Sequence, residues 1–239
     1  MLFPYTNLWQ VFLQPRCLQL FLAQKKIAQI DVESDAELAS SLDALLAQIP
    51  SRLPFVDSIE FILDSSQLHY LIVPWQQGMN TPVDRDHYAI AFHLQQQGQA
   101  SGPMRVAFTD YAYGKNGFAA LMDKDIFELL GVAARRRRLR FMGCRSLFDV
   151  LWRKACRSMP DDALFACMGP QQSSFALRYQ HQWHSVFSLH LPTADTQTQL
   201  ETANRLTGLP PLACFVIQPD ADGFVTASFS DASRAQENL

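Results

Sequence analysis

Metal or nucleophilic chemistry in this 239-residue chain would fall to its six histidines and five cysteines. His181-Gln-Trp-His184 has a spacing that chelates on a helix, but the surrounding RYQHQWHSVFSLHL has the composition of a strand or hairpin. On a strand those two side chains point to opposite faces, so no metal site is expected there. Cys17, Cys144, Cys156, Cys167 and Cys214 are odd in number, widely spaced and free of any CxxC, which reads as reduced thiols. In Gly143-Cys144-Arg145-Ser146 the arginine could lower the thiol pKa, yet a buried cysteine closing an apolar strand is the favoured reading. No GxSxG, GxGxxG or GxxxxGK[ST] occurs among the ten scattered glycines, which argues against a hydrolase elbow, a Rossmann site or a P-loop. Asp64, Asp84, Asp86 and Asp110 stand at element edges, where turns and caps also place carboxylates.

One charge feature stands out. Arg135-Arg136-Arg137-Arg138-Leu139-Arg140 is followed by Arg145, Arg153, Lys154 and Arg157, so nine of the twenty Lys and Arg fall within 135–157 while the whole chain carries −3. Cations suit the C-terminal end of a helix, but four in succession exceed what capping needs. A basic patch of this kind holds phosphates, acidic lipids or an acidic protein face. These nine residues are the expected partner-binding segment, with Phe141 and Trp152 as apolar anchors beside it. The segment lacks interleaved exposed aromatics and any nucleic-acid motif, so nucleic acid is not expected.

The elements that must position these residues alternate in type. Trp9–Leu13 and Cys17–Ala23 read as a hairpin around Gln14-Pro15-Arg16, with Lys25–Ile30 a third strand. Leu38, Leu42, Leu45, Leu46 and Ile49 recur at helical spacing after Ser34 and Glu37, a capping box. Ser58 to Trp75, SIEFILDSSQLHYLIVPW, reads as a central hairpin of Ile59–Leu63 and Leu68–Val73, its near-continuous apolar arms fit for a doubly covered sheet. A helix over Val83–Gln97 follows, placing Tyr88, Ala91, Phe92 and Gln95 on neighbouring turns, with Asp84 and Asp86 near its start. Next come a hairpin, Arg105–Ala112 with Gly117–Met122, and a helix over Ile126–Ala134 capped by Asp123. Leu139–Cys144 is a strand, and Ser146 caps a helix over Leu147–Cys156. Strands at Ala163–Met168, Ser174–Tyr179 and Trp183–Leu189, a helix over Ala194–Leu206 and strands at Cys214–Gln218 and Gly223–Ser228 complete the chain.

Interleaved antiparallel strands and crossover helices in two similar portions argue for an α/β protein with mixed sheets. The expected division is a first α/β subdomain over 1–122, a second over 123–229 and a polar tail over 230–239, with a boundary near Gly143 as the alternative. At 48% hydrophobic residues the length suffices for a proper core. No window offers the roughly 20 unbroken apolar residues of a membrane span, and the N-terminus lacks a charged leader and a cleavage site. A cytoplasmic polypeptide is expected.

The order of elements resembles the cytoplasmic actin-like domain of the GspL/PilM family, the assembly-platform proteins of type II secretion systems and type IV pili. Carrying the resemblance are Ile59–Trp75 ending in LHYLIVPW, the helix around His87–Gln97, the hairpin Arg105–Met122 with its Tyr113-Gly114 turn, and Asp125–Asp149. It implies actin-like (ribonuclease H-like) subdomains and a non-enzymatic scaffold that recruits the motor ATPase or other platform subunits, with room for a homodimer. It also implies a place at the inner face of the bacterial inner membrane. Secretion-type members continue into a transmembrane helix, and no stretch here has that composition. Pilus-type members bind ATP through Gly- and Asp-containing phosphate loops, which Gln14-Pro15-Arg16 does not match, so no cofactor is expected. The alternative is a nucleotide-binding actin-like protein or degenerate kinase, with Asp64 or Asp110 near a metal in the cleft between lobes. A nucleic-acid binder using Arg135–Arg157 is a third reading.

Overall fold

The computed structural model describes residues 6–50, 53–97, 102–156, 160–169, 172–191, 195–220 and 223–229. The tail expected over 230–239, and Arg157, lie outside the described residues.

The first three strands form an antiparallel meander: β1 (Leu8–Gln14), β2 (Cys17–Leu22) and β3 (Lys25–Asp31). Helix α1 (Leu38–Leu46) then crosses over to β4 (Ser58–Leu63), which lies parallel to β1 with Leu8 opposite Ser58 and Leu13 opposite Leu63. The expected Ser34–Glu37 capping box is not made: a short tight turn at Asp35–Glu37 precedes α1, and no side chain caps its first residue. Glu37 instead donates its backbone N–H to the Ser34 carbonyl at 3.0 Å, so the backbone closes the turn before the side chain is needed.

Ser58–Trp75 is not the hairpin its composition suggests. Asp64 caps a helical turn at Ser65–Gln67, and the chain leaves β4 for a different sheet. There β5 (His69–Val73) pairs with β7 (Gly117–Asp123), which also pairs with β6 (Met104–Asp110), giving the order β5-β7-β6. Both edges of β4 are already occupied, by β1 and by β8 (Arg140–Ser146), each in parallel register. A strand so placed is covered on both faces, which is why its apolar run is nearly continuous. Helix α2 (Pro82–Gln97) packs on the small sheet. Thr81 and Asp84 exchange capping hydrogen bonds at its start. Tyr88 and Phe92 of the expected stripe pack on the small sheet beside buried Ala89 and His93, whereas Ala91 and Gln95 face solvent.

Helix α3 (Lys124–Arg136), capped by Asp123, returns the chain to β8, completing a first sheet of order β3-β2-β1-β4-β8. Helix α4 (Leu147–Ala155), capped by Ser146, leads to a second sheet. There β9 (Ala163–Cys167), β10 (Ser173–Tyr179) and β11 (Gln182–Leu189) repeat the meander. Helix α5 (Thr196–Thr207) crosses to β12 (Ala213–Asp220), parallel to β9, and β13 (Gly223–Phe229) turns back antiparallel on it. The order β11-β10-β9-β12-β13 thus mirrors the first sheet up to its last strand.

Each sheet buries one face under its own crossover helices. Val11, Leu20, Phe61 and Leu63 pack with Leu42 and Leu45 of α1 and Leu130 of α3, while Leu164, Phe175 and Val216 pack with Leu200 and Ala203 of α5. The opposite faces share a third core, in which Phe12, Phe21 and Ile62 join Leu147, Phe148 and Leu151 of α4, Phe118 of the small sheet, and Phe165, Trp183 and Ile217. The period-two alternation along β1 and β4 assigns neighbouring residues to these two cores.

Candidate functional site

A concavity of about 820 Å³ lies at the carboxyl ends of β1 and β4, where open α/β sheets bind ligands. Gln14, Pro15, Arg16 and Cys17 line it from the first hairpin, Asp31, Val32 and Glu33 from the end of β3, and Gln172 and His190 from the second sheet. Asp64, 3% exposed, also lines it, and its Oδ2 accepts from Ser66 N–H at 3.2 Å and Ser66 Oγ–H at 2.6 Å. Asp110 is elsewhere. Its carboxylate accepts from Trp183 Nε1–H at 3.1 Å, so the expected pairing of Asp110 with a metal in the cleft is corrected.

Phosphate cradles are built from several convergent backbone N–H groups, usually on glycine-rich turns. Here Gln14 pairs directly with Cys17, leaving a two-residue turn whose first member, Pro15, has no N–H. The charged side chains lining the cleft are Asp31, Glu33 and Asp64 against Arg16. Among the described residues that line the cleft, this donor set does not resemble such a cradle. The thiol of Cys17 is pushed up by burial and by Asp31, which makes it a poor nucleophile at neutral pH.

The basic segment does not form one surface. Arg135 and Arg136 end α3, and Arg137 and Arg138 turn the chain into β8, which Arg140 opens; all five are exposed. Arg136 pairs with Asp43 of α1 at 3.1 Å, and Arg137 donates to the Asp43 carbonyl at 2.9 Å. At the other end of β8, Arg145 meets buried Glu60 at 2.6 Å and Asp149 at 3.7 Å, and Arg153 meets Asp149 at 2.9 Å. A strand of seven residues separates the groups by about 20 Å of extended chain. Lys154 is exposed on α4. Phe141 packs on Phe61 and Phe127, and Trp152 on Phe165 and Trp183, so both support cores and neither projects as an anchor.

Between the first sheet and the small sheet runs a groove of about 390 Å³. Arg105 to Thr109 of β6 line one side and Met142 to Ser146 of β8 the other. Each is the terminal strand of its sheet, so two rows of unpaired backbone groups border one channel. Gly143, at φ +106°, sits where the β8 register slips against β4, a bulge that re-aims this edge. Phe127 and Met122 supply apolar wall; Arg105, Arg145 and Arg153 supply cations with Asp149 among them. Sequence reading found Arg145 and Arg153 but not Arg105 or the facing edges, because which strands are terminal depends on the whole sheet order.

Cys144 lies in this groove with its thiol pushed up to about 12 by burial, which Arg105 opposes only partly and to which Glu60 adds. The expected buried, strand-ending cysteine is corrected in position: Cys144 is half-buried and the strand runs on to Ser146. His181 lies in the turn before β11 and pairs with Asp161 at 2.7 Å, while His184 packs on Tyr179. Among the described residues no cluster of His, Cys, Asp or Glu has metal-binding geometry.

No family model and no curated protein matches the chain. Among solved structures it is similar to a Bacteroides thetaiotaomicron protein with an actin-like ATPase fold and unknown function. The TM-score is 0.55 over 90% of this chain and 82% of that one, at 8% identity. The fold is actin-like. It is also similar to the cytoplasmic domain of EpsL, an inner membrane component of the type II secretion system of Vibrio cholerae. That match has a TM-score of 0.51 and 14% identity, and covers 90% of this chain and 84% of that one. The PilM–PilN type IV pilus biogenesis complex gives 0.49 and 15% identity over 87% of this chain and 67% of that one. The GspL/PilM resemblance read from the sequence has its counterpart in the EpsL match, as a likeness of fold. No helix among the described residues is long and apolar enough to cross a membrane.

Proposed function

We propose that this chain is a non-enzymatic scaffold of a type II secretion or type IV pilus assembly platform, holding an extended segment of a partner in the β6–β8 groove. One observation carries the reading: two free strand edges border the same channel. A peptide laid there adds a strand to either sheet, its backbone satisfied by the edge and its side chains read by the walls. Arg105, Arg145 and Arg153 outnumber Glu60 and Asp149, the carboxylates paired with Arg145 and Arg153 among the described residues, and so favour an acidic residue in that segment.

The likeness to an inner membrane component of a secretion system supports the choice of machine. The partner is then a cytoplasmic segment of another platform subunit or of the assembly ATPase, and the chain works on the cytoplasmic side of the inner membrane. Lys154 and the Arg135–Arg140 cluster add long-range attraction for an acidic partner. The two lobes read from the sequence, 1–122 and 123–229, belong to the same proposal, with α3 and β8 crossing that line to complete the first sheet.

Ala107 is exposed and lines the channel, so Ala107→Trp fills it without touching a core. Tiled peptides from the cytoplasmic segments of the cognate platform subunits and ATPase, read by fluorescence anisotropy, are expected to include one that binds. Ala107→Trp should weaken it by about thirtyfold, the scale of a central interface residue. A peptide bound equally well by that variant would refute the groove.

A further inference from the structure

At the pole where β8 begins, two exposed apolar side chains stand beside the arginine run. Leu53 is 72% and Phe55 56% exposed. Phe55 has φ +59° and Arg138 φ +54°, left-handed conformations that are uncommon for residues other than Gly, Asn and Asp. The two strained residues are tied together, Phe55 N–H donating to the Arg138 carbonyl at 2.7 Å, and Arg140 N–H donates to the Asp57 carbonyl at 2.9 Å. These bonds fasten the Leu53–Asp57 segment to the turn that carries the arginines. Leu53, Arg136, Arg137 and Arg138 also border a recess of about 180 Å³. Arg135 to Arg138 and Arg140 contribute five exposed cations; Asp43 pairs with Arg136, and Asp57 also borders the recess.

We infer that this pole docks on an anionic lipid bilayer, with Leu53 and Phe55 entering the interfacial layer and the arginines engaging lipid phosphates. Protruding apolar side chains flanked by cations match the chemistry of that interface, in which apolar groups sit below the headgroups and arginines at their level. An acidic protein would need the apolar pair seated in its own pocket, whereas a bilayer accepts protruding side chains without a preformed one. The net charge of −3 makes a localised basic pole the face that an anionic surface selects. This surface is at the far end of β8 from Arg145, so it leaves the groove free.

The test is co-sedimentation of the intact chain with vesicles of phosphatidylcholine alone and of phosphatidylcholine with phosphatidylglycerol, at low and high salt. Binding is expected only with the anionic lipid, falling steeply as salt rises. The pair Arg135→Ala and Arg140→Ala should weaken it about fivefold per arginine at low salt. Leu53→Ser with Phe55→Ser should weaken it about tenfold with the charges intact. Phe55→Gly, which relieves the backbone conformation, controls for folding by thermal melting and should bind as weakly as Phe55→Ser. Equal recovery with both vesicles overturns the inference. So does unchanged binding by the Leu53/Phe55 variants, or capture of polyglutamate as strong as that of anionic vesicles and indifferent to that pair, which would mark an acidic protein surface. Peptide binding in the groove is read separately, so either proposal can fail alone.

Discussion

His93 of α2 is 4% exposed, and its ring lies 4.9 Å from that of His69 on β5. Burial first, and His69 second, push its pKa below the ordinary 6.5. The unfolded chain therefore takes up a proton at a pH where the folded chain still resists it, and stability falls as pH drops below about 6.5. Urea unfolding across pH 5 to 8 should show that loss, and His93→Gln should flatten it; an unchanged slope would reassign it to other groups. Trp183 is the other residue on which much converges. It is fully buried, donates to Asp110, accepts from Asn116 Nδ2 at 3.1 Å and packs on Phe118, Phe165 and Trp152. Trp183→Phe should cost about 1 kcal/mol for the lost hydrogen bond. Trp183→Ala should cost about 3–5 kcal/mol for the cavity between the small sheet and the second sheet. Denaturant midpoints distinguish the two.

Among the elements, α3 sets the position of both basic groups, because it delivers the chain to the start of β8. Its signals are local: Asp123 Oδ1 accepts from Asp125 N–H at 2.8 Å, and Arg135 and Arg136 occupy the last turn. Asp123→Ala should lower stability by about 1 kcal/mol, checked by denaturation, and leave the fold intact. The β4–β5 connection shows the limit of local signals. Asp64-Ser65-Ser66-Gln67 has the residues of a hairpin turn and the flanking arms are apolar, but pairing is a competition. Placing β1 and β8 on either side of β4 satisfies both its edges and sets its two faces into separate cores, which a two-stranded ribbon cannot do. Which strands end a sheet, and hence where the groove lies, follows from the same competition.

For the whole molecule, the shared core of Phe12, Phe21, Phe118, Phe148, Phe165 and Trp183 joins the two large sheets below the cleft. A nucleotide gripped there would stabilise the folded chain by mass action, by about 2.7 kcal/mol at a hundredfold excess over Kd. With Asp31, Glu33 and Asp64 facing Arg16 and a proline in the turn, thermal unfolding is expected to show no saturable upward shift with Mg²⁺-ATP. A clear shift would replace the scaffold with a nucleotide-responsive protein.

By itself the sequence determined the elements, because turns, caps and apolar periodicity are encoded within a few residues. It placed each of the thirteen strands of the described residues near its observed bounds, and it marked Asp123 and Ser146 as helix caps. It also separated a central strand from the rest through the nearly continuous apolar run of Ile59–Leu63. Beyond the local hairpins β1–β2 and β6–β7, which the sequence paired, the tertiary structure decided which strands are neighbours. It removed β5 from β4, split one arginine run between two ends of β8, turned Glu60 into the partner of Arg145, and brought β6 and β8 to one groove. Those outcomes depend on contacts between residues far apart in the chain, selected by how much surface each arrangement buries and leaves satisfied, and no local pattern carries that information.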